Sequence, residues 1–259
     1  MKKTALITGA SGGLGLSFVN LFAKDGYDLV LVARNGNRLE EIKKEVEEKY
    51  NVSAIVVAVD LCSEDGAKKV YDATKQAKIK VDVLVNNAGF GDFGEFYKSD
   101  VNKQTRMIDL NCTALMQLCH LYLPDMIEQK SGNILNVDSI AAFQAGPLMS
   151  VYYATKAFVL SFSQALTREL KGTGVKVTAL CPGPIRTNFD NAADLGQSGL
   201  FKNLKVWDPD DVARFGYKKM KKGKSLCVCG FVNKLIVFAN RLAPRCLVRN
   251  LVYNIQKVQ

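Results

Sequence analysis

Apolar residues along the chain fall into short unbroken runs separated by longer amphipathic stretches. Leu6-Ile7 closes the first run, and a helical pattern follows from about Gly13 to Lys24. Leu29-Val30-Leu31-Val32-Ala33 has no polar interruption, the pattern of a strand buried on both faces. Residues 37–49 form a charged amphipathic helix, and Ile55-Val56-Val57-Ala58-Val59 and Val81-Asp82-Val83-Leu84-Val85 are the third and fourth strands. A long helical stretch over 102–129 leads into Asn133-Ile134-Leu135-Asn136-Val137, and a helix over 151–171 into Val175-Lys176-Val177-Thr178-Ala179-Leu180. Residues 183–208 are loop-rich. Asp208-Pro209 then supplies an N-cap and a first-turn proline for a helix that stops before Gly223. Ser225-Leu226-Cys227-Val228-Cys229 reads as a seventh strand, and two apolar-basic helical stretches split near Pro244 close the chain.

Strands alternating with helices of this length pair in parallel through right-handed crossovers. The predicted fold is therefore α/β, a Rossmann-type doubly wound parallel sheet of about seven strands with helices on both faces. Its ligand crevice lies at the carboxyl ends of the strands. Residues 1–222 are assigned to the dinucleotide-binding and catalytic unit. Residues 223–259 supply its last strand and a basic, apolar helical extension of the same domain.

Composition sharpens this picture at two points. The chain has 259 residues, 48% hydrophobic and 23% charged, which excludes a disordered or disulfide-scaffold protein. Its seven cysteines form no metal-binding spacing and are expected to be reduced thiols in a cytoplasmic protein. No signal peptide is expected, because the glycine-rich turn follows Met1-Lys2-Lys3 too closely, and no apolar run is long enough to span a bilayer. The net charge of +10 is concentrated at one end: residues 212–259 hold eleven lysines and arginines and no acidic residue.

Thr8-Gly9-Ala10-Ser11-Gly12-Gly13-Leu14-Gly15 sits between the first strand and the first helix. Gly9 permits the tight turn, Gly13 a close backbone approach to a pyrophosphate, and Gly15 the packing of helix on sheet; Ser11, Gly12 and Leu14 complete the cradle. The second strand ends at Ala33-Arg34 without the carboxylate that would bind a ribose 2′-hydroxyl. Arg34, with Arg38 one turn later, is suited to a 2′-phosphate, so NADP(H) is the expected cofactor.

With these motifs the chain resembles the short-chain dehydrogenase/reductase family. The glycine turn matches its cofactor motif, Asp60-Leu61 its adenine-contacting pair, and Asn86-Asn87-Ala88-Gly89 a further signature of the family. Asn111, Ser139, Tyr152 and Lys156 match its catalytic tetrad, and Cys181-Pro182-Gly183-Pro184-Ile185-Arg186-Thr187 the segment that packs along the nicotinamide. The resemblance runs from residue 4 to about 190. The tail is similar to a bacterial subgroup labelled after an enzyme of cell-envelope metabolism. By resemblance, Asn87, Ala88 and Gly89 line the cofactor's backbone, Pro182, Gly183 and Ile185 flank the nicotinamide, and Thr187 bonds its carboxamide. Asn111 is implied to hold a relay water, and Lys156 to bind the nicotinamide ribose.

The residue chemistry agrees with that mechanism. Tyr152 and Lys156 stand at i and i+4 and share a helix face. The lysine is expected to favour phenolate, so that Tyr152 exchanges a proton with an alkoxide. Tyr153 competes as the exposed phenol, but only Tyr152 lies four residues before Lys156. Ser139 is placed to hydrogen-bond a carbonyl oxygen. Asp138 departs from the small hydroxylated residue usual before that serine; strand alternation is expected to point it away from the site.

Phe90, Phe93, Phe143, Met149 and Phe189, with Leu195, are the candidate substrate wall, and 188–206 a candidate lid. They imply an apolar ketone or secondary alcohol, with hydroxysteroids and 3-oxoacyl thioesters both open. No metal and no nucleic-acid partner are expected, and a homodimer or homotetramer is. Two alternatives stay open: a nucleotide-binding sensor or scaffold with little turnover, and a membrane-peripheral reductase attached through 223–259.

Overall fold

The computed structural model describes residues 2–186 and 206–257. Seven parallel strands form one sheet: β1 (Thr4–Thr8), β2 (Asp28–Ala33), β3 (Ala54–Ala58), β4 (Val83–Asn86), β5 (Gly132–Val137), β6 (Val175–Cys181) and β7 (Leu226–Val228). Their spatial order is β3-β2-β1-β4-β5-β6-β7, so the order reverses between β1 and β4. A crevice at the carboxyl ends of these two strands is the geometric consequence.

The helices are α1 (Gly13–Lys24), α2 (Gly36–Tyr50), α3 (Gly66–Gln76), α4 (Val101–Ile108), α5 (Leu115–Glu128), α6 (Ser150–Glu169), α7 (Pro209–Lys221), α8 (Phe231–Leu242) and α9 (Arg245–Gln256). One face of the sheet packs Leu29, Leu31 and Val85 against Phe18 and Phe22 of α1 and Tyr217 of α7. The other packs Leu6, Val30 and Leu84 against Leu118 and Tyr122 of α5 and Val159 of α6. Leu29 to Val32 are thus buried from both sides, which is why that run carries no polar residue. Asp208 caps α7 by accepting from Asp210 N at 2.9 Å, and Pro209 opens the helix as expected.

Three features depart from the sequence pattern. Helix α3 is absent from that pattern; it is mostly polar and buries only Gly66, Ala67, Val70 and Thr74. The stretch 102–129 is not one regular helix, because a π-helical segment at Asp109–Ala114 separates α4 from α5. The C-terminal helices return to the carboxyl end of the sheet: Asn240 Nδ2 donates to Gln144 Oε1 at 2.7 Å and Gln256 Nε2 to Tyr153 Oη at 2.6 Å. All seven cysteines are free thiols. Among the described residues no helix is long and apolar enough to cross a membrane.

Candidate active site

The turn after β1 is built from backbone. Gly9 and Gly13 have φ of +67° and +52°, a region where a side chain is strained. A Cβ on Gly15 would stand 2.0 Å from Gly9 O, so the close approach of α1 to the turn requires glycine. Thr8 Oγ1 ties this turn to the end of β4, accepting from Asn87 N at 2.9 Å and Ala88 N at 3.0 Å. Asn87 Nδ2 donates back to Thr8 O at 2.9 Å. Gly12, the N-cap of α1, is fully extended, has no side-chain cap, and has open space where a Cβ would be. An uncapped helix start with empty space before it is what a phosphate needs.

This turn opens on a cavity of about 1190 Å³ that runs across the carboxyl end of the sheet. Gly9, Ser11, Gly12, Gly13, Leu14 and Gly15 line one end. Arg34, Asp60 and Leu61 line the same cavity from the ends of β2 and β3, and Asn87, Ala88 and Gly89 from the end of β4. Arg34 is exposed and makes no ion pair among the described residues. Arg38 does not line the cavity; it pairs with Glu41 at 2.8 Å and Glu45 at 3.6 Å, because all three lie on α2. Asp60 is held below the usual carboxylate range by its hydrogen bond from Arg106, 2.8 Å away.

At the other end stand Ser139, Tyr152 and Lys156, with Pro182, Gly183 and Ile185 beside them. Ser139 ends the extended run of β5 and caps a short 3-10 turn, its Oγ accepting from Ala141 N at 3.1 Å. The same hydroxyl works against the rise of the Tyr152 phenol. Lys156 is buried; its Nζ donates to Val137 O at 3.0 Å and lies 5.7 Å from the Tyr152 ring centroid. Burial pushes the Lys156 ammonium down and the Tyr152 phenol up. Lys156, expected to favour the phenolate, is not among the groups that shift Tyr152; desolvation dominates, and Tyr152 is held as the protonated phenol.

Asn111 lies behind this wall, not on it. The π-helical segment turns its amide inward, where Oδ1 accepts from Phe90 N at 3.1 Å and Nδ2 donates to Phe90 O at 2.9 Å and Thr155 Oγ1 at 3.1 Å. A Cβ on Gly89 would meet Asn111 Oδ1 at 2.9 Å and Lys156 Nζ at 3.9 Å, so the glycine keeps these groups close to one another. Tyr153 is no competitor for Tyr152: it is buried, and its hydroxyl accepts from Gln256.

Asp138 does not point away. The extended pairing with β6 runs on past Val137, Asp138 N donating to Leu180 O at 2.8 Å and Ile140 N to Pro182 O at 3.0 Å, and Asp138 still borders the cavity beside Lys156. It is almost fully buried, Cys181 Sγ donates to its Oδ2 at 3.7 Å, and its Oδ1 has no partner among the described residues. Burial raises its pKa to about 7 against the attraction of Lys156.

Of the candidate substrate residues, Phe90 and Met149 line the cavity. Phe93 and Phe143 are not among the lining residues; they pack against the small apolar clusters around Met149 and Ile140. Thr187, Phe189, Leu195 and most of the 188–206 segment lie outside the described residues. Sequence patterns miss Lys103, Arg106, Gln144, Ile236, Val252 and Ile255, all of which line the cavity. The last three come from α8 and α9, and only their apolar character at helical spacing hints at an inward face.

Comparison with known proteins agrees with this geometry. Residues 3–197 match the family model described as short chain dehydrogenase. An uncharacterized oxidoreductase of Staphylococcus saprophyticus is 33% identical over 211 residues, covering 82% of this chain and 88% of the relative. A very-long-chain 3-oxoacyl-CoA reductase of Bos taurus is 36% identical over 191 residues, covering 71% of this chain but 60% of that relative's length. Among solved structures, a short-chain dehydrogenase from Sphingobium yanoikuyae in complex with NADPH superposes with a TM-score of 0.81 at 30% identity, covering 93% of each chain.

Proposed function

The chain belongs to the short-chain dehydrogenase family, and on that premise we propose that it is an NADP(H)-dependent reductase of apolar ketones, reversible to oxidation of the secondary alcohol. The observation that carries this is one continuous cavity with a phosphate-ready helix start at one end and Ser139, a protonated Tyr152 and Lys156 at the other. The NADPH complex of the Sphingobium relative supports the choice of cofactor, and so does Arg34 at the position where a carboxylate would repel a 2′-phosphate.

When bound, the dinucleotide supplies the hydride. Gly9, Ser11, Gly12, Gly13, Leu14 and Gly15 hold its phosphates through backbone N–H groups, and Arg34 its 2′-phosphate. Asp60 and Leu61 would border the adenine, Asn87, Ala88 and Gly89 the ribose on that side, and Pro182, Gly183 and Ile185 the nicotinamide. Ser139 donates a hydrogen bond to the substrate carbonyl oxygen. Tyr152 gives that oxygen its phenolic proton as negative charge develops there. Lys156 bonds the nicotinamide ribose, and its charge steadies the phenolate left behind. Asn111, fixed to the Phe90 backbone, is the positioning residue for reprotonation of Lys156 through a water. Met149, Phe90, Val252 and Ile255 give the substrate an apolar wall, which suits the ketone of a 3-oxoacyl thioester or a steroid better than a sugar.

Exposed apolar residues on the helices over 101–169 (Ile108, Met116, Ile127 and Phe158) support assembly as a homodimer or homotetramer. Replacing Tyr152 by Phe tests the reading. Turnover is expected to fall by about 10²- to 10⁴-fold with NADPH affinity kept. Turnover at the wild-type rate would remove Tyr152 from the proton-donating role, and turnover absent from the wild type over a broad ketone panel would favour a nucleotide sensor.

A further inference from the structure

Helices α8 and α9 are apolar on two sides. Their inner side carries Ile236, Val252 and Ile255 into the cavity wall. Outward, α8 exposes Phe231, Leu235, Phe238 and Leu242 at i, i+4, i+7 and i+11, a single stripe, with Phe231 77% and Leu242 74% exposed. Leu247 and Leu251 of α9, one turn apart, are about as open. A surface helix normally turns one apolar side to the core and a polar side to water. Exposed aromatic and aliphatic residues lying this densely mark a contact surface.

Charge decides what the surface fits. Lys234, Arg241, Arg245, Arg249 and Lys257 punctuate these helices, residues 212–259 contain no acid, and none of the five makes an ion pair among the described residues. A second copy of the chain would bring five like charges against five. An anionic bilayer accepts both features together, because the cations meet lipid phosphates while the stripe enters the headgroup–acyl boundary.

We propose that α8 and α9 dock the protein peripherally on anionic membrane surfaces. Docking needs no catalysis; it rests on the reductase reading only for what crosses the shared helical wall, an apolar ketone dissolved in the bilayer. The test is flotation of the full-length protein with phosphatidylglycerol–phosphatidylcholine vesicles and with phosphatidylcholine vesicles. Phe231→Ser/Leu235→Ser/Phe238→Ser and Lys234→Glu/Arg241→Glu variants are run in parallel. All substituted positions are exposed, and unchanged NADPH affinity and thermal midpoint certify the fold. The wild type is expected to float at least about tenfold better with anionic vesicles, and each variant to lose about tenfold or more. Equal flotation on both vesicle types, or none, overturns the proposal. Overturning it equally is self-association without lipid that the stripe variant abolishes while vesicle binding is absent, which would give the surface to a second copy. A second readout is turnover of a long-chain ketone dissolved in the vesicles, expected to rise on anionic vesicles for the wild type and not for the stripe variant. Flotation without that rise overturns delivery through the helical wall and leaves docking.

Discussion

The glycine turn at the start of the chain and the helical pair at its end border the same cavity by opposite means. At the turn the backbone sets the surface: a Cβ would crowd Gly9 and Gly15, Gly13 has a positive φ, and Gly12 leaves open space. In α8 and α9 the surface belongs to side chains, and two hydrogen bonds, Asn240 to Gln144 and Gln256 to Tyr153, fasten them to the catalytic end. Gly15 at the glycine turn therefore leaves no room for a side chain, whereas side chains build the wall at the other end.

The harshest test of this contrast is at Gly15. A methyl group there meets backbone at 2.0 Å, so Gly15→Ala is expected to cost on the order of 3 kcal/mol or more, read as a drop in the thermal midpoint. Gly12→Ala is the matching control. It has free space and extended backbone, so the free protein should melt within about 2 °C of wild type while NADPH affinity falls about tenfold. If both variants melt alike, the difference between packing and ligand space at this turn is wrong.

Asp138 tests the middle of the cavity. Its pKa is raised by burial from an ordinary 3.8 to about 7, so between those values the folded protein holds a proton that the unfolded chain has released. Stability therefore falls as pH rises from about 4 to 7, and the loss is complete above 7. Asp138→Asn removes that dependence: its thermal midpoint should match wild type near pH 4 and exceed it near pH 8, by a difference on the order of 1–3 kcal/mol. Parallel melting curves at all pH values would show that the carboxyl is not buried as described.

Much of this site was legible because it is written in residue types with narrow purposes. Glycines that a turn demands, a Tyr–Lys pair one helical turn apart, and a strand without polar residues each fit few structures besides the one found. What was not legible lies where a neighbour decides. Helix α3 shows too little apolar surface to announce itself. The π-helical segment at Asp109–Ala114 has no breaker residue, and its wide turn is seen only through Asn111 bonding to the Phe90 backbone. Asp138 escapes the pattern because the groups that surround it, Lys156 and Cys181, come from other elements. Nor does local sequence mark Gln256, whose partner Tyr153 lies 103 residues away.

The smallest expected effect comes from that last bond. Gln256→Ala leaves the Tyr153 hydroxyl without its 2.6 Å donor and should cost about 1–2 kcal/mol. Because α9 walls the substrate end, KM for an apolar ketone should rise while NADPH affinity stays put. A change in NADPH affinity instead would show that the two ends of the cavity are not independent.

Whether this cavity receives a 2′-phosphorylated dinucleotide is decided by calorimetric titration of the full-length protein with NADPH and NADH, beside the Arg34→Asp variant. One NADPH per chain is expected, bound at least about tenfold more tightly than NADH, with the preference lost or reversed in Arg34→Asp. Equal affinity for both nucleotides, or a preference for NADPH that survives Arg34→Asp, would contradict it.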